Sequence, residues 1–474
     1  MNIPSSVGRR SSTFRSSLNR WGKAPVIGLG WGLLSVVVWG LWMGSSAVAI
    51  AVSKEEEEIH QLWMEVEKLV EEVAPMVVEL RRDIHAHPEL ANREERTARV
   101  VAEMLRKVGL KEIRTGVAHH GVVGLLRGRE PGPVIALRGD MDALPIQENT
   151  GLPYASRIPG IMHACGHDAH TAMLVGAAAV LARLQDRFPG AIKFIFQPAE
   201  EGVPPGEKGG ATLMIEEGVL EDPPVDAIFA MHVNIDLPTG KIGYREGALM
   251  AAVDRFRLAI VGKQSHAAMP WAGIDPIVAS AHVITAVQTI ASRTIDARQP
   301  IVVSFGRICA GEAWNIIPER VEMEGTIRTH DPEVRKVAKE SFRRIVEQVA
   351  AGLGARAELE LYDYGPVVWN NPALLSFLKR ALTHAVGAEN LVEIAPVMGG
   401  EDFAHYAQRV PGLYVYLGAG NKEIGAVFPV HTPFFRIDEA ALSVGVKTHC
   451  MVALYFLHNA KGSLPLGHGT TGRQ

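Results

Sequence analysis

The chain has 474 residues, which exceeds one ordinary compact core and argues for two domains. A hydrophobic content of 47%, a charged content of 21% and a net charge of −4 are ordinary for a globular protein and give no reason to expect nucleic acid as a partner. Three cysteines, Cys165, Cys309 and Cys450, are too few and too sparse for a disulfide framework.

Residues 1–23 carry Arg9, Arg10, Arg15, Arg20 and Lys23 and no acidic residue, and residues 24–52 are uncharged. The basic flank, the apolar run and the small residues Ala47-Val48-Ala49 predict an export signal over residues 1–52. The run is also long enough to stay in a bilayer as an uncleaved anchor. Either way the rest of the chain is expected on the exported side, in the periplasm, a lumen or the extracellular space. Ser53 with Glu56 then forms a capping-box pattern, and apolar residues at 59, 62, 63, 66, 69 and 70 predict a helix ended by Pro88. A second helix is expected over residues 94–109.

Short apolar strands then alternate with helices: strands at 122–128 and 134–139, a helix at 167–184, a strand at 192–197, a helix at 211–220 and a strand at 226–233. That alternation predicts an α/β fold around a mixed, partly parallel sheet. From residue 249 to 362 the order becomes strand, helix, strand, strand, helix, strand, which predicts an inserted α+β domain of split βαβ, ferredoxin-like type. The first domain would thus comprise residues 53–248 and 363–460, resumed by a helix at 371–387, a strand at 413–420 and a last helix at 439–460. Residues 461–474 read as a disordered tail. Cys309 and Cys450 lie in apolar stretches and are expected in the core.

The reactive residues gather where predicted strands end. Asp140-Met141-Asp142 follows one strand, Pro198-Ala199-Glu200-Glu201 follows the next, and His232 closes a third. Ligands of α/β sheets bind beyond the carboxyl ends of the strands. Between the first two strands lies MHACGHDAH, residues 162–170, with three histidines, a cysteine and an aspartate. Alone it suits a metal site, a thiol nucleophile, a redox motif or a polar loop. Imidazole, carboxylate and thiolate together suit divalent ions, and two ions can polarise a carbonyl and activate a water. One glutamate of the Glu200-Glu201 pair could then bind metal while its neighbour moves the proton.

These parts, with RRDIHAHPEL, RGDMDALPI, FQPAEEG, GKQSHAAMP, NIIP, EGTIR, GGEDF and VHTPFF, resemble the amidohydrolase branch of the aminoacylase/carboxypeptidase co-catalytic metallopeptidases. That branch includes hippurate hydrolases, N-acyl-amino-acid amidohydrolases and auxin-conjugate hydrolases. The resemblance covers roughly residues 78–457 and implies a catalytic α/β domain interrupted by a smaller lid through which a homodimer could form. It implies two divalent ions, Mn²⁺ or Zn²⁺, held by Cys165, His167, Glu201, His232 and His431. Glu200 would be the general base and then the acid, and Asp142 would orient a ligand imidazole. His266 would contact the substrate or the developing oxyanion, and Asn315 and Arg328 would hold the substrate carboxylate. The implied substrate is an N-acyl or N-aroyl amino acid; a small dipeptide, or an acetylated cell-wall amino acid of the diaminopimelate type, is the alternative, and a non-catalytic metal- or ligand-binding protein the third reading. His85, His87, His163 and His170 are expected to support the site or pack helices, and Asp140 to act behind the ligands.

Overall fold

The structure, a computed structural model, describes residues 54–460. The expected export segment, Ser53 of the capping box and the expected tail lie outside the described residues.

The first helix, α1 (Lys54–Ala86), buries Leu62, Val66, Leu69, Val73, Val77, Leu80 and Ile84 along one stripe, as the apolar spacing requires. Next come α2 (Glu95–Lys107), β1 (Glu112–Val117), β2 (Gly121–Arg127), β3 (Val134–Asp140), α3 (His167–Arg183), β4 (Ala191–Gln197), α4 (Gly210–Glu216), β5 (Ala227–Pro238) and β6 (Ile242–Tyr244). Then follow β7 (Gly247–Met250), β8 (Ala252–Val261), β9 (Ser265–His266), α5 (Pro276–Val287), β10 (Ile301–Ala310), β11 (Ile316–Ile317), β12 (Arg320–Thr329), α6 (Pro332–Gly352) and β13 (Arg356–Gly365). The chain closes with β14 (Val368–Asn370), α7 (Pro372–Val386), β15 (Leu391–Glu393), α8 (Phe403–Ala407), β16 (Gly412–Gly420) and α9 (Ala440–Asn459).

Eight strands form a mixed sheet in the order β1-β2-β4-β3-β5-β16-β6-β15. Its centre, β4-β3-β5-β16, is parallel, and β3 and β4 are buried along their whole length. Parallel strands covered on both faces read as continuous apolar runs, which is how VIALRG and IKFIFQ appear in the sequence. One face packs against α1, α3, α7 and α9; α4 and α8 cover part of the other. All residues of α3 from His167 to Leu181 are buried, so the helix that opens at the MHACGHDAH loop has no solvent face. The apolar helix α9 is long enough to cross a membrane by composition, yet it packs on α3 and α7 and is mostly buried.

A second sheet has the order β10-β12-β8-β13, all antiparallel, with α5 and α6 packed on one face around a separate apolar cluster. In chain order this is the split βαβ arrangement expected for the insertion. One expectation fails here. Cys309 is exposed, because β10 is the edge strand of this sheet and its second half, from Gly306 to Ala310, faces outward. Cys450 is buried as expected.

Candidate metal centre

The strand ends and loops converge as their spacing suggested. Asp140 ends β3, the Glu200-Glu201 turn follows β4, and His232 lies on β5. Gly166 makes the turn between Cys165 and His167 at a φ of 93°, and a Cβ there would meet a Val233 methyl at 2.4 Å. Only glycine lets this loop lie against the strand that carries His232. His431 arrives on a separate loop, with a φ of 63° and its backbone N–H donated to the Ala164 carbonyl at 2.8 Å.

Ligand atoms of Cys165, His167 and His232 lie within 4.8 Å of one another, as do those of Cys165, Glu201 and His431, and those of His167, Glu200 and Glu201. Cys165 Sγ is 3.3 Å from His232 Nε2, and His431 Nε2 is 3.1 Å from Glu201 Oε1. The imidazoles are presented by their other nitrogens. His232 Nδ1 donates to the Val233 carbonyl at 2.7 Å, and His167 Nδ1 donates to Asp142 Oδ1 at 3.1 Å. Both Nε2 atoms are thereby turned toward the cluster. Asp142 Oδ2 also accepts the Glu201 N–H at 2.9 Å, so one carboxylate sets both a histidine and the glutamate turn. Asp140 binds His170 Nδ1 at 2.6 Å, and His170 Nε2 accepts the Val233 N–H at 3.0 Å. His85 joins Arg81 and Asp168 in a buried cluster at the start of α3. His163 is buried, and neither ring nitrogen has a hydrogen bond among the described residues. His87 caps its own helix by donating to the Asp83 carbonyl.

The cluster is electrostatically incomplete in protein atoms alone. His167 Nε2 is buried without a hydrogen bond among the described residues, and Glu201 Oε1 is buried with only the ion-pair approach of His431 Nε2 at 3.1 Å. Burial and the nearby Glu201 and Glu200 push the Cys165 thiol well above its ordinary range. Burial alone would lower His167, yet Asp140 and Asp142 outweigh it and raise its pKa to about 10. A soft-to-borderline dication is the group that would reverse both, leaving His167 neutral and Cys165 ionised. Glu200 is pushed well above the carboxylate range by burial and by Glu401, Glu201 and Asp402. Burial also opposes ionisation of Glu201, but His431 and His167 outweigh it and lower its pKa. Neighbouring carboxylates are thus driven to opposite protonation tendencies, the arrangement that separates a proton carrier from a ligand.

A cavity of about 690 Å³ opens over the cluster, lined by Cys165, Glu200, Glu201, His232 and His431 from one side and by Arg255, Thr326, Arg328 and Tyr364 from the second sheet. Arg328 donates to the Met398 carbonyl at 2.8 Å and is half-buried. His266 and Asn315 do not line this cavity. They lie beside the β9–β11 ribbon, where His266 is exposed and Asn315 accepts the Ala267 N–H.

Three supports were not anticipated. Arg138 is fully buried and donates to Gln197, Asp140, Glu401 and Asp402, while Tyr414 donates to Glu401 at 2.6 Å. This network lies under Glu200, and a lone arginine inside the apolar run VIALRG was its signal. Glu94 accepts the Ala199 N–H at 2.8 Å, and Tyr364 reaches the cavity from β13. No local pattern distinguishes either.

The family model described as Peptidase family M20/M25/M40 matches residues 136–455. N-acetylcysteine deacetylase of Bacillus subtilis is 42% identical over 385 residues, covering 81% of this chain and 98% of that protein. Thermostable carboxypeptidase 1 of Saccharolobus solfataricus is 42% identical over 396 residues, covering 82% and 98%. The crystal structure of the Bacillus subtilis YXEP protein, described as a dinuclear metal-binding peptidase of the M20 family, superposes with a TM-score of 0.69 at 39% identity, covering 82% of this chain and 99% of that one. With its family motifs, mixed sheet and clustered thiol, imidazole and carboxylate groups, this chain belongs to the M20/M25/M40 peptidase family and is a metal-dependent hydrolase of its amidohydrolase branch.

Proposed function

We propose that this protein hydrolyses the amide bond of N-acyl or N-aroyl amino acids to a carboxylic acid and an amino acid. The observation that carries the reading is Glu200. It is a nearly buried carboxyl group whose proton affinity is raised by burial and by neighbouring carboxylates, as suits a group that takes and returns a proton, beside a thiol, imidazole and carboxylate cluster in a cavity sized for a small molecule. The deacetylase relative favours an acyl amino acid as substrate.

Cys165, His167, Glu201, His232 and His431 would hold two divalent ions, Mn²⁺ or Zn²⁺, which would polarise the amide carbonyl and lower the pKa of a water. Glu200 takes the proton of the attacking water and returns it to the departing nitrogen. Asp142 keeps His167 and the Glu201 turn in register. Arg328 faces the cavity as a guanidinium partner for the substrate carboxylate.

We also propose that residues 249–362 act as a lid and that two chains pair through it. Trp271, Met269, Trp314, Ile316 and Ile308 are exposed around β9, β11 and the edge strand β10, an apolar surface next to His266 and Asn315. These two residues would then act through a partner chain rather than on their own cavity. An exported location, through residues 1–52, completes the proposal.

A second reading, a small dipeptidase, is favoured by the carboxypeptidase relative and uses the same groups. A panel of hippurate, N-acetyl amino acids and dipeptides with added Mn²⁺, Zn²⁺ or Co²⁺ separates them. Turnover of acyl amino acids is expected. Faster turnover of dipeptides supports the second reading, and no turnover with any metal contradicts both.

A further inference from the structure

The antiparallel pairing of β13 with β8 is regular from Arg356 to Asp363, then slips: Asp363 faces Asp254 and Gly365 faces Val253. Tyr364 is the extra residue. Such a bulge turns a side chain away from the alternation of its strand. Here it sends Tyr364 into the cavity that also holds Glu200, Glu201 and Arg328.

The hydroxyl lies against the turn that follows the two glutamates. A Cβ at Gly202 would come within 2.3 Å of Tyr364 Oη, and Gly202 has a φ of 115°. Glycine at 202 therefore serves both the turn and the close approach of the phenol. Burial, and after it the charges of Glu200, Asp402, Glu201 and Asp142, raise the pKa of Tyr364 above the ordinary value. A phenol in that setting keeps its proton and is a hydrogen-bond donor at neutral pH. Arg328 is its cationic neighbour on the same wall: Arg328 on β12 and Gly365 on β13 both face Val253 of β8.

We propose that Tyr364 is a catalytic residue, whose hydroxyl donates a hydrogen bond to the scissile carbonyl oxygen as that oxygen gains charge. The proposal rests on the amidohydrolase reading above. A donor aimed where charge develops acts mainly on the transition state. A donor on the chain's own cavity wall also differs from His266, which lies outside that wall.

Tyr364→Phe removes the donor and keeps the ring. Turnover of wild type and variant is measured on an N-acetyl amino acid and on the matching N-acetyl amino acid amide, which lacks the free carboxylate. Metal content and melting temperature are recorded alongside. The proposal expects kcat to fall about 10²-fold on both substrates, with KM within about twofold and metal content and melting temperature unchanged. A phosphonamidate analogue of the acyl amino acid should weaken in proportion to the loss in kcat/KM. An unchanged kcat overturns the proposal. So does a rise in KM confined to the substrate with a free carboxylate, which would make Tyr364 a partner of Arg328 in holding that group. A wild type inactive on every substrate overturns the amidohydrolase reading itself, and an active wild type with an equally active variant overturns the tyrosine assignment alone.

Discussion

Glu94 sets the turn on which Glu200 and Glu201 sit. Its Oε1 accepts the N–H of Ala199, whose φ of 56° is a conformation that alanine rarely adopts. Burial, then the charge of Asp142, raises the Glu94 pKa to about 8, and its second oxygen has no hydrogen bond. A carboxyl with a raised native pKa holds its proton more tightly folded than unfolded. Its contribution to stability is therefore full below the ordinary carboxylate value and is lost as pH rises to about 8. Glu94→Gln keeps the acceptor for Ala199 and cannot ionise. Urea unfolding of the two proteins should show the variant gaining on wild type from pH 5 to 8, by up to about 4 kcal/mol at roughly 1.4 kcal/mol per pH unit, and a constant gap above. A gap independent of pH contradicts the assignment. The sequence did not reveal Glu94, because its partner Ala199 is about a hundred residues away and nothing local marks the pair. The MHACGHDAH loop, the Glu200-Glu201 pair and His232 were legible because reactive residues crowd one loop or close an apolar run, while the choice of Cys165, His167, Glu201, His232 and His431 as ligands came from the family resemblance.

At the scale of elements, long periodic segments were readable and short ones were not. The stripe of α1, the apolar strands β3 and β4 and the long apolar run of α3 after Thr171 each follow from a pattern longer than one turn or several strand residues. The three- and four-residue strands β6, β7, β14 and β15 have too few residues to show a period, and their pairing is long-range. Cys309 was misread for a related reason. An apolar stretch suits a buried strand and an edge strand alike, and only the sheet order tells them apart. That edge carries a prediction. Among the described residues strand β10 pairs only with β12, and Ile308, Trp314 and Ile316 are exposed beside it. Sedimentation velocity should find a dimer for wild type and a monomer for the double variant Ile308→Glu, Trp314→Glu. A monomeric wild type, or a double variant that stays dimeric, contradicts pairing through this surface.

Over the whole molecule, one cavity lies between the carboxyl ends of the parallel strands and the wall of the second sheet. The strand ends deliver thiol, imidazole and carboxylate groups, and the second sheet delivers Arg328 and Tyr364. The fold class and the arrangement of the strand-end groups were legible because both follow from strand order and motif spacing. The outward placement of His266 and Asn315 was not, because a motif in sequence does not say which way a two-stranded ribbon faces. The central claim is that Glu200 moves the proton and is not a metal ligand. It is tested most directly by measuring bound metal and acyl-amino-acid turnover in Glu200→Gln beside wild type. The account predicts equal metal per chain and a loss of turnover of at least about 10²-fold. Turnover near wild type with metal retained would contradict it.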